Sequence, residues 1–201
     1  MKTQENRLIG IDIGGTSIKF ALMDDAGTIE KKWSIPTNIA EKGKDIPKEI
    51  CASIRMTLED AGLAAVKGIG IGVPGPISPD GKTVVQAVNL DWKDLPLKEI
   101  IETDLGIGVC LLNDANAAAL GEMWKGAAQG NVNLLFVTLG TGVGGGLSEA
   151  GEQLLLPLTE KLEEYVFPQI KAHFSVKNAQ LGNEAGIYGA VYAYLIKNKI
   201  V

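Results

Sequence analysis

Asp12, Gly14, Gly15, Thr16 and Lys19 are the residues of this sequence best suited to holding a phosphate. They stand together in Gly10-Ile11-Asp12-Ile13-Gly14-Gly15-Thr16-Ser17-Ile18-Lys19. Paired glycines free the backbone and strip it of side chains, so a bulky anion can approach the amide N–H groups. Thr16 adds a hydroxyl, Lys19 a positive charge, and Asp12 a carboxylate able to hold a metal-bound water. Apolar residues 8–13 lead into the stretch and Phe20-Ala21-Leu22-Met23 lead out, which reads as strand, tight turn, strand. A plain β-hairpin with a glycine turn accounts for these residues equally well, because short glycine motifs match by chance.

A second stretch of the same kind lies further on. Residues 133–139 read as an apolar strand, closed by Gly140-Thr141-Gly142-Val143-Gly144-Gly145-Gly146. Two phosphate-type turns, each closing a strand, suggest a nucleotide held between two related half-domains. Between them, Leu111-Leu112-Asn113-Asp114-Ala115-Asn116 is an apolar strand ending in a polar cluster that runs into a helix. Asn113 and Asp114 suit an N-cap. A carboxylate at a strand end also suits general-base work, and the two roles are compatible.

The elements that must position these groups follow from hydrophobic periodicity. Residues 8–13, 17–23 and 29–34 read as three short antiparallel strands, the last two joined by the Asp24-Asp25-Ala26-Gly27 turn. Residues 46–61 read as a helix. Its Ile46, Ile50, Ile54 and Leu58 form a core-facing stripe, Pro47 suits the first turn and Gly62 is a natural stop. Residues 66–73 alternate glycine with isoleucine or valine, which predicts a buried strand with one close-packed face. Val73-Pro74-Gly75-Pro76 then reads as a rigid loop, Pro79-Asp80-Gly81-Lys82 as a surface turn and Trp92 as a packing anchor. Residues 97–105 read as a helix, 109–112 as a strand, and 115–125 as a helix with Glu122 and Lys125 in solvent. Beyond the second glycine turn, residues 154–171 read as a helix with Leu155, Leu158, Leu162, Tyr165 and Val166 on one side, and Pro168 kinks or ends it. Residues 176–181 read as a strand, Gly182-Asn183-Glu184-Ala185-Gly186 as a turn and 187–196 as a final helix.

Composition narrows the class. With 201 residues, 46% hydrophobic and 21% charged, the chain can bury a core as one large or two small domains. Its 25 glycines fall in turns and glycine-alternating strands, so low complexity is not their cause. A net charge of −5 argues against a general nucleic-acid binder but leaves room for a nucleotide site built from local amides. Cys51 and Cys110 lie in a helical pattern and an apolar strand, and buried free thiols in a reducing cytoplasm are expected. Residues 1–7 are polar, so no signal peptide is expected, and no stretch is long enough to span a membrane. His173, the single histidine, reads as a surface residue.

The quoted stretches resemble a sugar kinase of the ROK family, and most of all its bacterial glucokinases. The matching motifs are Asp12 to Lys19, Gly72-Val73-Pro74-Gly75-Pro76, Asn89-Leu90-Asp91-Trp92, Leu112 to Ala118, and Leu139 to Gly146, and the tail from Leu181 also matches. The resemblance implies an α/β chain with the actin-like ATPase (ribonuclease H-like) sugar-kinase fold. Residues 1–112 with 186–201 would be a complete N-terminal half-domain, and 113–185 a truncated second one. The implied activity is phosphoryl transfer from ATP–Mg²⁺ to a hexose, with glucose giving glucose 6-phosphate. Asp114 would be the catalytic base, and Gly75, Asn89, Asn113 and Asp114 would bind the sugar. Asp12, Gly14, Gly15, Thr16, Lys19, Gly140, Thr141, Gly142, Gly144 and Gly145 would bind ATP, with Asp12 orienting hydrated magnesium. A turn is the alternative for Gly75, and a loop position for Asn89.

The same resemblance marks a departure. After Gly146, Leu147-Ser148-Glu149-Ala150-Gly151-Glu152 matches a later part of the family pattern, as if an in-frame deletion had joined two glycine turns. The stretch passed over carries the family's Glu-x-Gly-His sugar motif and its structural zinc site. Cys51 and Cys110 lack metal-ligand spacing, so no zinc is expected. Three functions follow from this: a compact sugar kinase, a nucleotide-binding but inactive remnant, or a structural or regulatory module, since the family includes sugar-responsive repressors. No N-terminal helix-turn-helix is read, which speaks against DNA binding. The expected partners are a sugar and a nucleotide, with no membrane, and the family resemblance allows a homodimer.

Overall fold

The computed structural model describes residues 6–131, 133–137, 152–167 and 174–201. They divide into two compact units, one ending at Phe136 and resuming at Leu181, the other running from Val137 to Gln180. The first contains the sheet. Its strands are β1 (Arg7–Ile13), β2 (Ser17–Met23), β3 (Ile29–Pro36), β4 (Val66–Val73) and β7 (Val109–Asn113), ordered β3-β2-β1-β4-β7. The pairs β3/β2 and β2/β1 are antiparallel, and β1/β4 and β4/β7 are parallel. A separate hairpin pairs β5 (Val84–Ala87) with β6 (Trp92–Leu95). The helices of this unit are the short turn α1 (Ala40–Gly43), α2 (Ile46–Leu63), α3 (Leu97–Leu105), α4 (Asp114–Lys125) and α6 (Ala185–Lys197).

Strand alternation sorts the sheet into two faces. Ile9, Ile11, Ile13, Ile18, Phe20, Leu22, Ile69, Ile71 and Val73 share one hydrophobic cluster with Ile46, Ile50 and Ile54 of α2. The other face carries Leu8, Ala21 and Met23, which pack on Ile187, Val191 and Leu195 of α6. On that face β1 and β4 present glycine because α6 lies against the backbone itself. A Cβ on Gly10 would stand 2.6 Å from the Ile187 carbonyl oxygen, and one on Gly70 would stand 1.9 Å from that of Ala190. Helices α4 and α6 meet the same way: a Cβ on Gly189 would be 1.6 Å from the Ala117 carbonyl oxygen.

Several sequence-based boundaries shift. Helix α2 breaks at Glu59, which has φ 54°, and reaches Leu63, so Gly62 is not its stop. Residues 133–137 form no strand and leave Leu135 87% exposed. An apolar run becomes a strand only where a neighbour completes its backbone hydrogen bonds, and no described strand lies beside it. Residues 176–181 likewise form no strand. In the second unit, α5 (Glu152–Tyr165) carries Pro157 within it, and its expected apolar stripe is open, with Leu158, Leu162 and Tyr165 all exposed. Pro168 and His173 lie outside the described residues. Cys51 and Cys110 are buried free thiols, and burial pushes the Cys51 thiol up to about 11.

Gly189→Ala separates helix propensity from packing. Propensity alone would stabilise α6 by about 1 kcal/mol. The backbone contact instead predicts a net loss of about 3 kcal/mol, read as a lower urea midpoint. Gly130→Ala, with φ 79° and open space around it, is expected to cost only about 1 kcal/mol.

Candidate functional site

Asp12 is the penultimate residue of β1, on the face covered by α6. Its register partners are Lys19 on β2 and Gly72 on β4. A Cβ on Gly72 would stand 3.7 Å from Asp12 Oδ1, and one on Gly186 of α6 would stand 3.1 Å from Asp12 Cγ. Two bare backbones therefore wall the carboxylate without donating to it. Burial holds the Asp12 carboxyl above the ordinary aspartate range; Lys19 pulls it down and Asp114 pushes it up. A desolvated carboxylate beside a second carboxylate, uncrowded by side chains, fits the outer shell of a hydrated divalent cation.

The glycine turn after β1 is fixed from behind. The Gly14 N–H donates to the Ser17 carbonyl at 3.0 Å, and the Thr37 N–H to that of Thr16 at 3.0 Å. Thr37 Oγ1 donates to the Gly14 carbonyl at 2.7 Å. Gly15 and Thr16 remain exposed. A Cβ on Gly15 would approach the Asn89 Cβ at 3.8 Å, so the turn and Asn89 are neighbours.

Asp114 opens α4 directly after β7. Asn113 is the N-cap, its Oδ1 accepting from the N–H groups of Ala115 at 3.0 Å and Asn116 at 3.2 Å. Its Nδ2 donates to the Gly75 carbonyl at 3.1 Å and to Asp114 Oδ1 at 2.9 Å. The cap thus also ties the Pro74–Pro76 loop to the carboxylate. Gly75 has φ 119°, and a Cβ there would stand 2.0 Å from the Gln86 carbonyl oxygen, so only glycine suits this position. Gly75, Gln86, Val88, Asn89 and Asp114 line a hollow of ≈ 250 Å³. A larger one of ≈ 620 Å³, with Ser78, Leu112, Asn113 and Asn116 in its wall, shares Gly75 with it.

The structure therefore brings Gly75, Asn89 and Asp114 to one hollow and Asn113 to the neighbouring one, with Asp12 and Lys19 paired on adjacent strands. Gly140, Thr141, Gly142, Gly144 and Gly145 lie outside the described residues. Among the described residues no group of three His, Cys, Asp or Glu side chains could hold a metal ion. Glu122 departs from expectation. It is 1% exposed, because its carboxylate accepts two backbone N–H groups, from Ala127 at 2.7 Å and Leu181 at 2.8 Å. Lys125 is half-buried, its Nζ 4.9 Å from the Trp124 ring centroid. Sequence reasoning also missed Thr37 and Gly186. The glycine alternation of β4 signalled a close approach but not which helix made it.

The ROK family model matches residues 8–153. The glucokinase of Halalkalibacterium halodurans is 45% identical over 148 residues, which are 73% of this chain and 45% of that protein. The chain thus spans under half the length of this curated relative. A ROK family glucokinase from Streptomyces griseus, solved in complex with glucose and AMPPNP, is 38% identical with a TM-score of 0.53, over 62% of this chain and 38% of that one. The ROK hexokinase from Thermus thermophilus, at 20% identity, shares the fold with a TM-score of 0.64 over 96% of this chain and 99% of that one. No helix among the described residues is long and apolar enough to cross a membrane. The fold is the actin-like ATPase fold of sugar kinases, and the chain belongs to the ROK family.

Proposed function

We propose that this chain carries the base side and the first phosphate turn of a glucokinase-type hexose kinase working in the cytoplasm, and that it binds ATP–Mg²⁺ with little or no sugar turnover. The observation that carries this reading is the Asn113 amide, which joins Gly75 and Asp114 at one hollow. Asp114 would accept the proton of a sugar hydroxyl, while Asn113 holds its Oδ1 and Asn89 meets the sugar. The exposed Gly15 and Thr16 would meet phosphate oxygens with Lys19 supporting the charge, and Asp12 would hold the hydration shell of magnesium. When bound, ATP–Mg²⁺ supplies the phosphoryl group and neutralises its charge.

A specific observation favours low turnover. The chain covers 45% of the Halalkalibacterium halodurans glucokinase, and by resemblance the Glu-x-Gly-His segment is among the parts it lacks. Losing several buried sugar hydrogen bonds at roughly 1–3 kcal/mol each weakens sugar capture by orders of magnitude. A misplaced hydroxyl slows transfer further.

The deciding assay measures ADP release from ATP–Mg²⁺ with glucose, beside Asp114→Ala, together with the melting midpoint with and without AMPPNP–Mg²⁺. The expected result is a higher midpoint with nucleotide and glucose-dependent ADP release no greater than in Asp114→Ala. Turnover lost only in Asp114→Ala would instead show a working kinase. Absence of any nucleotide effect would leave a structural or regulatory module.

Asp12→Asn tests the desolvated carboxylate. Because burial raises this carboxyl in the folded protein, stability falls as pH rises from the unfolded carboxylate range through the raised value. Asp12→Asn is therefore expected to melt higher than the parent at pH 7 without ligand, with the difference vanishing at pH values below the ordinary aspartate range. The same variant is expected to lose the nucleotide-induced rise. A lower ligand-free midpoint at pH 7 would contradict the account.

A further inference from the structure

We propose that Glu122 is a positioning residue for the Asp12 site: it fixes the place where the chain re-enters the sheet unit and, through it, the start of α6 against Asp12. Leu181 is the first residue of the returning segment, and its N–H donates to Glu122 Oε1 at 2.8 Å. The other oxygen, Oε2, accepts from Ala127 at 2.7 Å. The Glu122 carbonyl accepts from Gly126 at 3.1 Å and Ala128 at 3.0 Å. One residue therefore gathers the loop leaving α4 and the segment entering α6.

The surroundings are shaped to this carboxylate. A Cβ on Gly126 would stand 2.0 Å from Glu122 Oε2, so a side chain there would take its place. Beside it, a Cβ on Gly121 would stand 2.1 Å from the Ala185 carbonyl oxygen, so the same turn of α4 touches the first residue of α6. From Leu181 the path to the site is short. The Glu184 N–H donates to the Leu181 carbonyl at 2.9 Å, a 3₁₀ turn spans Gly182–Glu184, and Gly186 lies on Asp12.

Backbone packing against Gly10, Gly121 and Asp12 sets the body of α6, but among the described residues side-chain caps do not set its start. Neither the 3₁₀ turn nor α6 has a side-chain cap. The Lys32–Glu184 ion pair is solvent-exposed, and such pairs contribute little. The two backbone donors instead converge on one buried carboxylate. In this account Glu122 acts through the backbone it holds, at Ala127 and Leu181.

Two variants test this in the full chain. Glu122→Gln keeps the volume but turns one acceptor into a donor facing an N–H. Leu181→Pro removes the other partner's N–H at a residue whose φ of −83° is near proline's own, and it serves if Glu122→Gln fails to fold. Each is expected to speed amide exchange across residues 182–190 by about 10- to 100-fold while β1 and β4 keep their protection. Each is also expected to weaken AMPPNP–Mg²⁺ binding, and the double variant is expected to be no worse than the more affected single one. Unchanged exchange, equal acceleration over β1, β4 and α6, additive effects, or altered exchange with unaltered AMPPNP affinity would overturn the proposal. The nucleotide arm rests on the function proposed above. If the parent binds no AMPPNP, that reading fails by itself, and the Asp12 role fails with it, while the exchange arm still decides whether Glu122 fixes α6.

Discussion

The approach of α6 to bare backbone is the constraint on which the first unit depends. Gly10, Gly70 and Gly189 leave no room for a Cβ because α6 lies against β1, β4 and α4 at backbone distance. Such an interface gains dispersion contacts along its length and tolerates no added methyl group. It also places Gly186 over Asp12, so the packing that closes the core is the packing that shapes the site.

That arrangement has an electrostatic cost. Burial, together with the nearby Asp114, raises the Asp12 carboxyl above the ordinary aspartate range, and Lys19 pulls it back down. Burying such a group near the end of a central strand costs stability, and a cation or a phosphate-bound cation would complete its charge balance. Asn113 shows the same economy: one amide caps a helix, fixes a loop and orients a carboxylate.

What could be read from the sequence was mostly local. Ile46, Ile50 and Ile54 declared the buried face of α2 through their spacing, and Asn113 and Asp114 declared a capped helix start because cap and carboxylate are adjacent. What could not be read depended on distant partners. Glu122 near a helix end, with Lys125 close by, resembles a solvated face, and only the N–H groups of Ala127 and Leu181 explain its burial. Residues 133–137 have strand composition, yet a strand is defined by its neighbour, which composition does not supply. Gly186 looked like part of a turn, and its contact with Asp12 joins opposite ends of the sequence.

The sheet unit is also discontinuous, with its last helix encoded after the second unit. During synthesis, β1, β2 and β4 emerge with one face unlined: a row of glycines and the Leu8, Ala21 and Met23 side chains await a helix that does not yet exist. Everything between Val137 and Gln180 must be made before that face can close. The nascent chain thus carries an uncovered apolar surface through much of its translation, the kind of exposure that makes folding intermediates prone to aggregate.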